Sequence, residues 1–467
     1  MPSLPPSPHA RARAFELIQR YGWNATAFQT LEAGYTYFFH GDDGCVAYVD
    51  TGHAWVAAGA PIAPMSAIAS TATAFLGAAR AAHKRCCMFA TEHRFQELSS
   101  PGWHALAIGE QPVWDPRDWP DTLSRHKSLR EQLRRARAKG VHVRLLEPSE
   151  LEAGPTRRAL LDLASRWFAT RSMAAMSFLV HLELTQPESR RCFVAEQDGV
   201  LVGFAGVIPV PARAGWFIED LLRDPVAPNG TTELMVDAVM RWAAAQSCEW
   251  LTLGLAPLAG EVGGALKLTR KLTKRLYDFD GLRGFKAKLR PRTWSPIYLS
   301  HPAEQTSLTS MFDALAAFAP GGLVRFGLRS FFRGPPLVLA TLAALLVPWT
   351  VVLALSSATH WFATAYIKWA WVAFDVVLFI GLTRGLARPT PRLLTALAVA
   401  ITADAFVTIG EALLWNVRNA SGWFEYVVLF IACAMPSLAA AVLWGARRRS
   451  QRLAAAAPHL ESPNHSA

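Results

Sequence analysis

The chain of 467 residues is 52% hydrophobic and only 18% charged, where a usual soluble domain carries roughly 25% charged residues. Together with a length beyond one ordinary domain, this excludes a single water-soluble globule. A formal net charge of +11 and a pI near 9.6 favour anionic partners, either nucleic acid or the negative surface of a membrane.

In chain order, the first ten or so residues are Pro/Ser-rich, and ARAFELIQRYG then has helical spacing. The N-terminal stretch lacks the apolar core of a signal peptide, so the part before the apolar runs is expected to stay in the cytoplasm. From Tyr35 to Pro61 the pattern alternates as strands about a GDDG turn; an Ala-rich helix near residues 66 to 83, a strand at CCMFAT and short strands up to Gly109 follow. DTLSRHKSLREQLRRARAKG predicts a helix over Asp121 to Gly140, with Leu123, Leu129, Leu133 and Ala136 inward and a cationic face of Arg125, Lys127, Arg130, Arg134, Arg135, Arg137 and Lys139. VHVRLLEP reads as a strand.

A second α/β unit opens with a helix near Thr156 to Arg171, then a hairpin in RRCFVAEQDGVLVGFAGVIPV turned at Asp198-Gly199. GWFIEDLLRD is a strand, PNG a loop, TTELMVDAVMRWAAAQ a helix, CEWLTLGL a strand; a loop and basic helix lead to a last strand, GFKAKLR. Two successive mixed units, each around an antiparallel-rich sheet, give an α/β (α+β) class. The boundaries expected are 1–145 and 146–305 for the two units, an amphipathic linker at 306–335, four transmembrane helices within 336–447 and a disordered tail at 448–467.

The four spans are apolar stretches near 336–356, 362–383, 393–415 and 425–445, each close to the ~20 residues that cross a ~30 Å hydrocarbon core. Basic flanks at FGLRSFFRG, TRGLARPTPR and ARRRSQR place both termini in the cytoplasm by the positive-inside rule, with Trp349, Trp361, Trp415, Trp423 and Trp444 near span ends. Asp375, Asp404 and Glu411 fall inside spans, and the last two, seven apart, share a helix face. Two readings stand side by side: a polar path for a lipid head group, or hydrogen bonds between helices.

Six cysteines, Cys45, Cys86, Cys87, Cys192, Cys248 and Cys433, show no CxxC pair and no His/Cys ligand spacing, so neither a metal site nor a disulfide framework is expected. In EDLLRDPVAPNGTTELMVDAVMRWAAAQSCEWLTLGLAPLAG, a strand, an Asn-Gly turn and a helix N-terminus make a place where free backbone N–H groups receive an anion. An acetyltransferase carries a Gly-rich pyrophosphate loop there; PNGTTE is no such loop, and no cofactor is expected. Read as a strand, GFKAKLR puts Lys286, Lys288 and Arg290 on one cationic face, which either holds phosphates or guards an edge strand.

Several ordered blocks carry a resemblance: IGEQPVWD (Ile108 to Asp115), the basic helix ending in AKG, DLLRDPVAPNGTTELM, LGLAPLAG, and DFDGLRGFKAKLRPRTWSPIYL. Over most of residues 30 to 302 the sequence resembles the C-terminal catalytic domain of bacterial aminoacyl-phosphatidylglycerol synthases, also called phosphatidylglycerol lysyltransferases. The resemblance implies two tandem acetyltransferase-like (GNAT-type) folds, here followed by a four-helix transmembrane bundle. It implies transfer of an amino acid from aminoacyl-tRNA to a lipid hydroxyl, with aminoacyl-tRNA, an anionic phospholipid and the membrane as partners. The product would carry added positive charge and repel cationic peptides. In that family the membrane bundle precedes the catalytic domain and includes a flippase portion; here the spans follow, and the lesser role of anchor is the one carried.

Asp220 and Arg223 match the family's DLxR motif and, with Lys286, are the catalytic candidates. Asp220 would accept the proton or bind the ammonium of the amino acid, and Arg223 would hold a phosphate or the oxyanion; a structural ion pair is the plain alternative. Lys288, Arg290, Glu233, Gly230, Gly254 and Pro257 are the substrate-binding candidates, Glu233 otherwise complementing a helix dipole. Arg130, Arg134 and Arg137 are candidates for tRNA or lipid phosphate. Two other functions fit the residues: acyl transfer from CoA or another donor to a lipid or peptide amine, and a noncatalytic scaffold that binds tRNA or lipid.

Overall fold

The computed structural model describes residues 7–99, 102–152, 154–169, 178–179, 189–259, 279–319, 321–323, 325–326, 335–355, 361–387, 390–420 and 422–455. The chain forms two compact units, unit 1 of residues 1–169 and 175–326 and unit 2 of residues 170–174 and 327–467.

Unit 1 is built on a twelve-stranded mixed sheet. After α1 (Pro8–Tyr21), β1 (Thr36–His40), β2 (Gly44–Asp50) and β3 (Ala54–Ala58) form an antiparallel run. α2 (Ile68–Ala81) then crosses over to β4 (Arg85–Thr91), which lies parallel to β3. α3 (His93–Leu98) and the long β5 (Trp103–Trp114) follow, then the basic stretch, which folds as two helices, α4 (Trp119–Arg125) and α5 (Lys127–Ala138), broken at His126. The inward positions are those expected, with Leu123, Leu129, Leu133 and Ala136 buried.

The second half repeats the order of elements. β6 (His142–Leu145), α6 (Pro148–Glu152) and α7 (Pro155–Ala169) precede β7 (Arg191–Gln197), β8 (Val200–Val210) and β9 (Gly215–Arg223), an antiparallel run. The β7–β8 turn is Asp198-Gly199, both with positive φ (50° and 77°), the geometry a two-residue hairpin of matching twist requires. α8 (Thr231–Ala245) crosses to β10 (Trp250–Thr252), parallel to β9, and β11 (Ala256–Pro257) pairs with β5.

Two expectations change here. Sequence periodicity gives each unit its own sheet; the structure gives one sheet, because the strands that end the halves are exchanged at its centre. β12 (Thr293–Pro302), last in the chain, lies between β4 and β5, while β5 of the first half pairs with β10 of the second. GFKAKLR is also not a strand: it belongs to α9 (Phe279–Lys288) and the turn after it, so Lys286, Lys288 and Arg290 do not share a strand face. An alternating K-A-K pattern of seven residues is too short to tell a strand from a helix end. The basic helix expected between β11 and α9 lies outside the described residues. α10 (Ser307–Phe318) closes unit 1, packed on β3, β4 and β12.

Unit 2 contains α11 (Pro335–Ala354), α12 (Ala365–Ala387), α13 (Pro391–Glu411) and α14 (Trp423–Ala455), packed about Leu339, Leu378, Leu382, Leu397, Ala398 and Leu443. Among the described residues three helices are long and apolar enough to cross a membrane, Ala365–Leu386, Arg392–Asn419 and Trp423–Gly445, where four spans were expected. The described apolar part of α11, Leu339–Ala354, is the shorter one; at 1.5 Å per residue it reaches about 24 Å, less than a ~30 Å core. The intraspan carboxylates are hydrogen-bonded, Asp375 to the Thr350 hydroxyl (3.2 Å), Glu411 to the Trp371 indole (3.0 Å) and Asp404 to the Thr408 hydroxyl (3.1 Å). Two of these bonds link neighbouring helices, as buried polar groups in an apolar bundle demand.

Candidate active site

In the second half the chemistry-bearing side chains gather at two of the places where the sheet departs from regularity. The first is a β-bulge. Gly206 on β8 pairs with Asp220 and Val207 with Ile218, so Glu219 is the extra residue on β9. A bulge leaves its residue unpaired and re-aims the side chains around it. Here it turns two consecutive carboxylates toward one guanidinium: Arg190 Nη2 lies 2.7 Å from Glu219 Oε1, and Arg190 Nη1 lies 3.9 Å from Asp220 Oδ2. Gly206 leaves the room, since a Cβ there would sit 3.1 Å from Asp220 Oδ2. Glu32, from the segment between α1 and β1, completes the cluster and accepts from Arg190 Nη2 at 3.0 Å.

Three carboxyls against one guanidinium, buried but for part of Asp220, cannot all be ionised at modest cost. Burial pushes Asp220 up to about 7, with Arg190 pulling the other way. Burial also drives Glu219 well above the usual carboxylate range, Arg190 offsetting it and Asp220 and Glu32 adding to it. Asp220 Oδ2 accepts no hydrogen bond among the described residues. The result is a carboxylate that changes charge near neutrality and has an acceptor atom to spare, the properties a general base needs.

The second irregularity is where β9 and β10 part. Their parallel pairing lasts only from Gly215–Trp250 to Phe217–Thr252. The chain then turns away through Leu253, Gly254 and Leu255 to join β5 as β11. Gly254 has φ +68°, and a Cβ there would come within 2.6 Å of the Phe217 ring, so only glycine fits. Lys286 reaches in from α9 and its ammonium donates to the carbonyls of Leu253 (2.8 Å), Gly254 (2.9 Å) and Leu255 (2.9 Å). Burial pulls this lysine down to about 7, yet three acceptors match the three N–H bonds of the ammonium and not the two of the amine. Lys286 is thus a clamp on the backbone of the opened strand.

The remaining candidates separate. Three positions along a strand put Asp220 and Arg223 on opposite faces, and Arg223 instead donates to the Asn229 side chain (3.4 Å) in the turn before α8. Gly230 caps α8 with φ +94°, pressed against the Gln132 carbonyl of α5, and Glu233 stands in the first helical turn. Pro257 pairs with Gly109 on β5. Lys288 and Arg290 are exposed, and Arg290 lines an open cleft with Arg125, His126, Arg292 and Trp294.

On the basic helix each of the three arginines has a protein partner. Arg130 donates to the carbonyls of Leu123 and Ser124, Arg134 pairs with Glu131, and Arg137 with the buried Asp237, which also receives the Trp119 indole. Arg190, Glu219 and Glu32 were not among the sequence candidates. The only trace of them is the pair Glu219-Asp220, two consecutive acids in an otherwise apolar strand.

The bulged strand with its carboxylates and the opened parallel pair together make the candidate site of this α/β unit. The chain belongs to the family described as phosphatidylglycerol lysyltransferase, C-terminal, whose model matches residues 15–301. It is similar to a phosphatidylglycerol lysyltransferase of Bacillus subtilis, 30% identical over 130 residues, which are 26% of this chain and 15% of that protein. An uncharacterized protein of Corynebacterium glutamicum is 24% identical over 238 residues, 48% of this chain and 29% of that one. The chain therefore spans well under half the length of these relatives. Among solved structures, the C-terminal domain of a putative lysylphosphatidylglycerol synthetase from Agrobacterium fabrum shares the fold, with TM-score 0.57 and 22% identity over 68% of this chain and 99% of that one. The L-PGS of Bacillus licheniformis does so too, with TM-score 0.56 and 18% identity over 67% of this chain and 98% of that one.

Proposed function

We propose that unit 1 moves an amino acid from aminoacyl-tRNA to a free hydroxyl of phosphatidylglycerol, at the cytoplasmic face of the cell membrane in which unit 2 is embedded. The observation that carries this reading is Asp220, a buried carboxylate titrating near neutrality on the bulge of β9, in a chain of the lysyltransferase family. The lipid hydroxyl oxygen forms an ester bond to the aminoacyl carbonyl carbon, and the bond from that carbon to the tRNA ribose oxygen breaks. Asp220 takes the hydroxyl proton and returns it to the departing ribose oxygen. Arg223, beside the N-terminal turn of α8, holds a phosphate, with Gly230 and Glu233 shaping that turn. Lys286 acts through the Gly254 and Leu255 carbonyls it fixes, keeping β9 and β10 apart where the substrate enters. Lys288 and Arg290 meet RNA or lipid phosphate from the rim, and Arg130, Arg134 and Arg137 do so by exchanging their present partners.

Charged tRNA is found on the cytoplasmic side, and the basic segment Arg325 to Arg333, between unit 1 and the first apolar helix, favours that side for unit 1. A lipid that gains an ammonium lowers the negative charge of the surface and its attraction for cationic peptides. The test is lipid mass spectrometry of cells with and without the protein. A phosphatidylglycerol heavier by one amino-acid residue supports the reading, and an unchanged lipid profile, or labelling from acyl-CoA that ribonuclease leaves untouched, refutes it.

A further inference from the structure

α10 carries large apolar residues on its outward side as well as on its inward one. Its inward side includes polar residues: Ser310 is fully buried, and Asp313, 5% exposed, accepts two bonds from Arg85 at 2.7 and 2.6 Å. Ala314 and Ala317 pack there as apolar core, with Met311 and Phe318 partly buried against it. Its outward side carries Leu308, Phe312 and Leu315, exposed by 67%, 55% and 46%. Their spacing of i, i+4 and i+7 makes one continuous stripe, and Leu323 beyond the helix is exposed as well. Folding does not require this stripe, because the helix is already pinned by the Arg85–Asp313 pair and by its packing on β3, β4 and β12. Large exposed apolar residues lined up on one face mark a binding surface.

The chain itself indicates what covers it. The next seventeen positions after Phe318 lead to Pro335, the start of the apolar unit, a tether of about 60 Å at full extension. Within that tether LVRFGLRSFFRG brings Arg325, Arg329 and Arg333 together with Phe326, Phe331 and Phe332, and no acidic residue. Basic side chains interleaved with aromatics suit the headgroup region of an anionic bilayer, and a helix with one apolar face lies in that region with the face down.

We propose that the Leu308–Phe312–Leu315 face of α10 is a membrane-docking surface that seats unit 1 on the anionic bilayer. This sets the orientation in which unit 1 meets its lipid, so its effect on catalysis rests on the function proposed above, while the docking itself does not.

The test uses the full chain in nanodiscs of phosphatidylcholine and phosphatidylglycerol, with a photoreactive phenylalanine analogue at position 312 and, as a control, at the exposed position 200 beside the β7–β8 turn. Illumination should give lipid adducts at 312 and less than about a tenth as many at 200. Adducts to a second copy of the chain or to residues of unit 2, or no excess over the control, would overturn the proposal. The triple variant Leu308→Ser, Phe312→Ser, Leu315→Ser should lose about tenfold in transfer to bilayer phosphatidylglycerol, from the lost apolar burial, and nothing with a dispersed short-chain lipid. Equal rates with bilayer lipid, or equal loss on both lipids, contradicts it. Should the wild type modify no lipid at all, the proposed function falls while the cross-linking result still decides the docking.

Discussion

The two halves of the unit 1 sheet share one order of elements and differ in how their parallel strands end. In the first half β3 and β4 stay paired through five positions, Ala54–Arg85 to Ala58–Phe89, and the paired core there is apolar: Ala54, Val56, Cys87. In the second half β9 and β10 pair through three positions and then separate. The opening exposes backbone carbonyls that Lys286 must hold, and the longer strand carries the bulge with Glu219 and Asp220. One architecture thus yields a platform where the parallel pair stays zipped and the proposed reactive crevice where it opens. The open half also holds the ionic cluster of Arg190, Glu219 and Asp220, the kind of grouping common at functional sites.

The sharpest way to break this comparison is Asp220→Asn. Removing a general base costs about 10²- to 10⁴-fold in rate, so initial rates of lipid labelling from charged tRNA should fall by that much while circular dichroism stays unchanged. A mutant with near wild-type rate would leave the second half with no special role.

The pH dependence comes next. A protonated Asp220 cannot accept a proton, and this carboxyl is held at about 7; the rate should therefore rise about tenfold per pH unit below that value and level off above it. Arg190 favours the ionised form, so Arg190→Gln should move the limb to higher pH. The pH–rate profiles of both proteins check the sign.

Lys286→Met leaves three buried carbonyls without their donor, at about 1–3 kcal/mol each, and should lower the melting temperature of the protein by several degrees. Val56→Ala on β3 of the zipped half should cost about 2 kcal/mol of stability but leave the rate per folded molecule unchanged; thermal unfolding and turnover measured on both variants separate platform from crevice. The smallest effect is expected from Arg80→Gln on α2, an exposed partner of Glu304, with transfer altered by less than about twofold.

Much of the fold was legible in the sequence. The β7–β8 hairpin follows from Asp198-Gly199, the α8 start from Gly230, and the inner face of α5 from its leucine spacing, all local signals. What escaped was non-local. Nothing in TWSPIYLSHP says that β12 inserts between β4 and β5, because strand neighbours are chosen by tertiary packing. GFKAKLR alternates like a strand, yet it ends a helix whose lysine is drawn to carbonyls that are free only because β10 stops early. Of the candidate site, Asp220 was readable from DLLR, but Arg190 and Glu32 lie 30 and 188 residues upstream of it in the chain and meet it only through the exchanged sheet. The count of spans failed at α11, where Pro348 and the limited apolar length are features that a hydropathy pattern blurs.

The central claim is that the bulge carboxylate of the second half transfers an amino acid from RNA to lipid. Its most direct measurement is a reconstitution in which the purified chain, in phosphatidylglycerol vesicles, receives each radiolabelled aminoacyl-tRNA in turn. The account predicts that label from at least one of them appears in the lipid with the wild type, and that ribonuclease treatment beforehand or Asp220→Asn abolishes it. Label absent from the lipid with every charged tRNA, or carried there equally well by the Asp220→Asn protein, would contradict it.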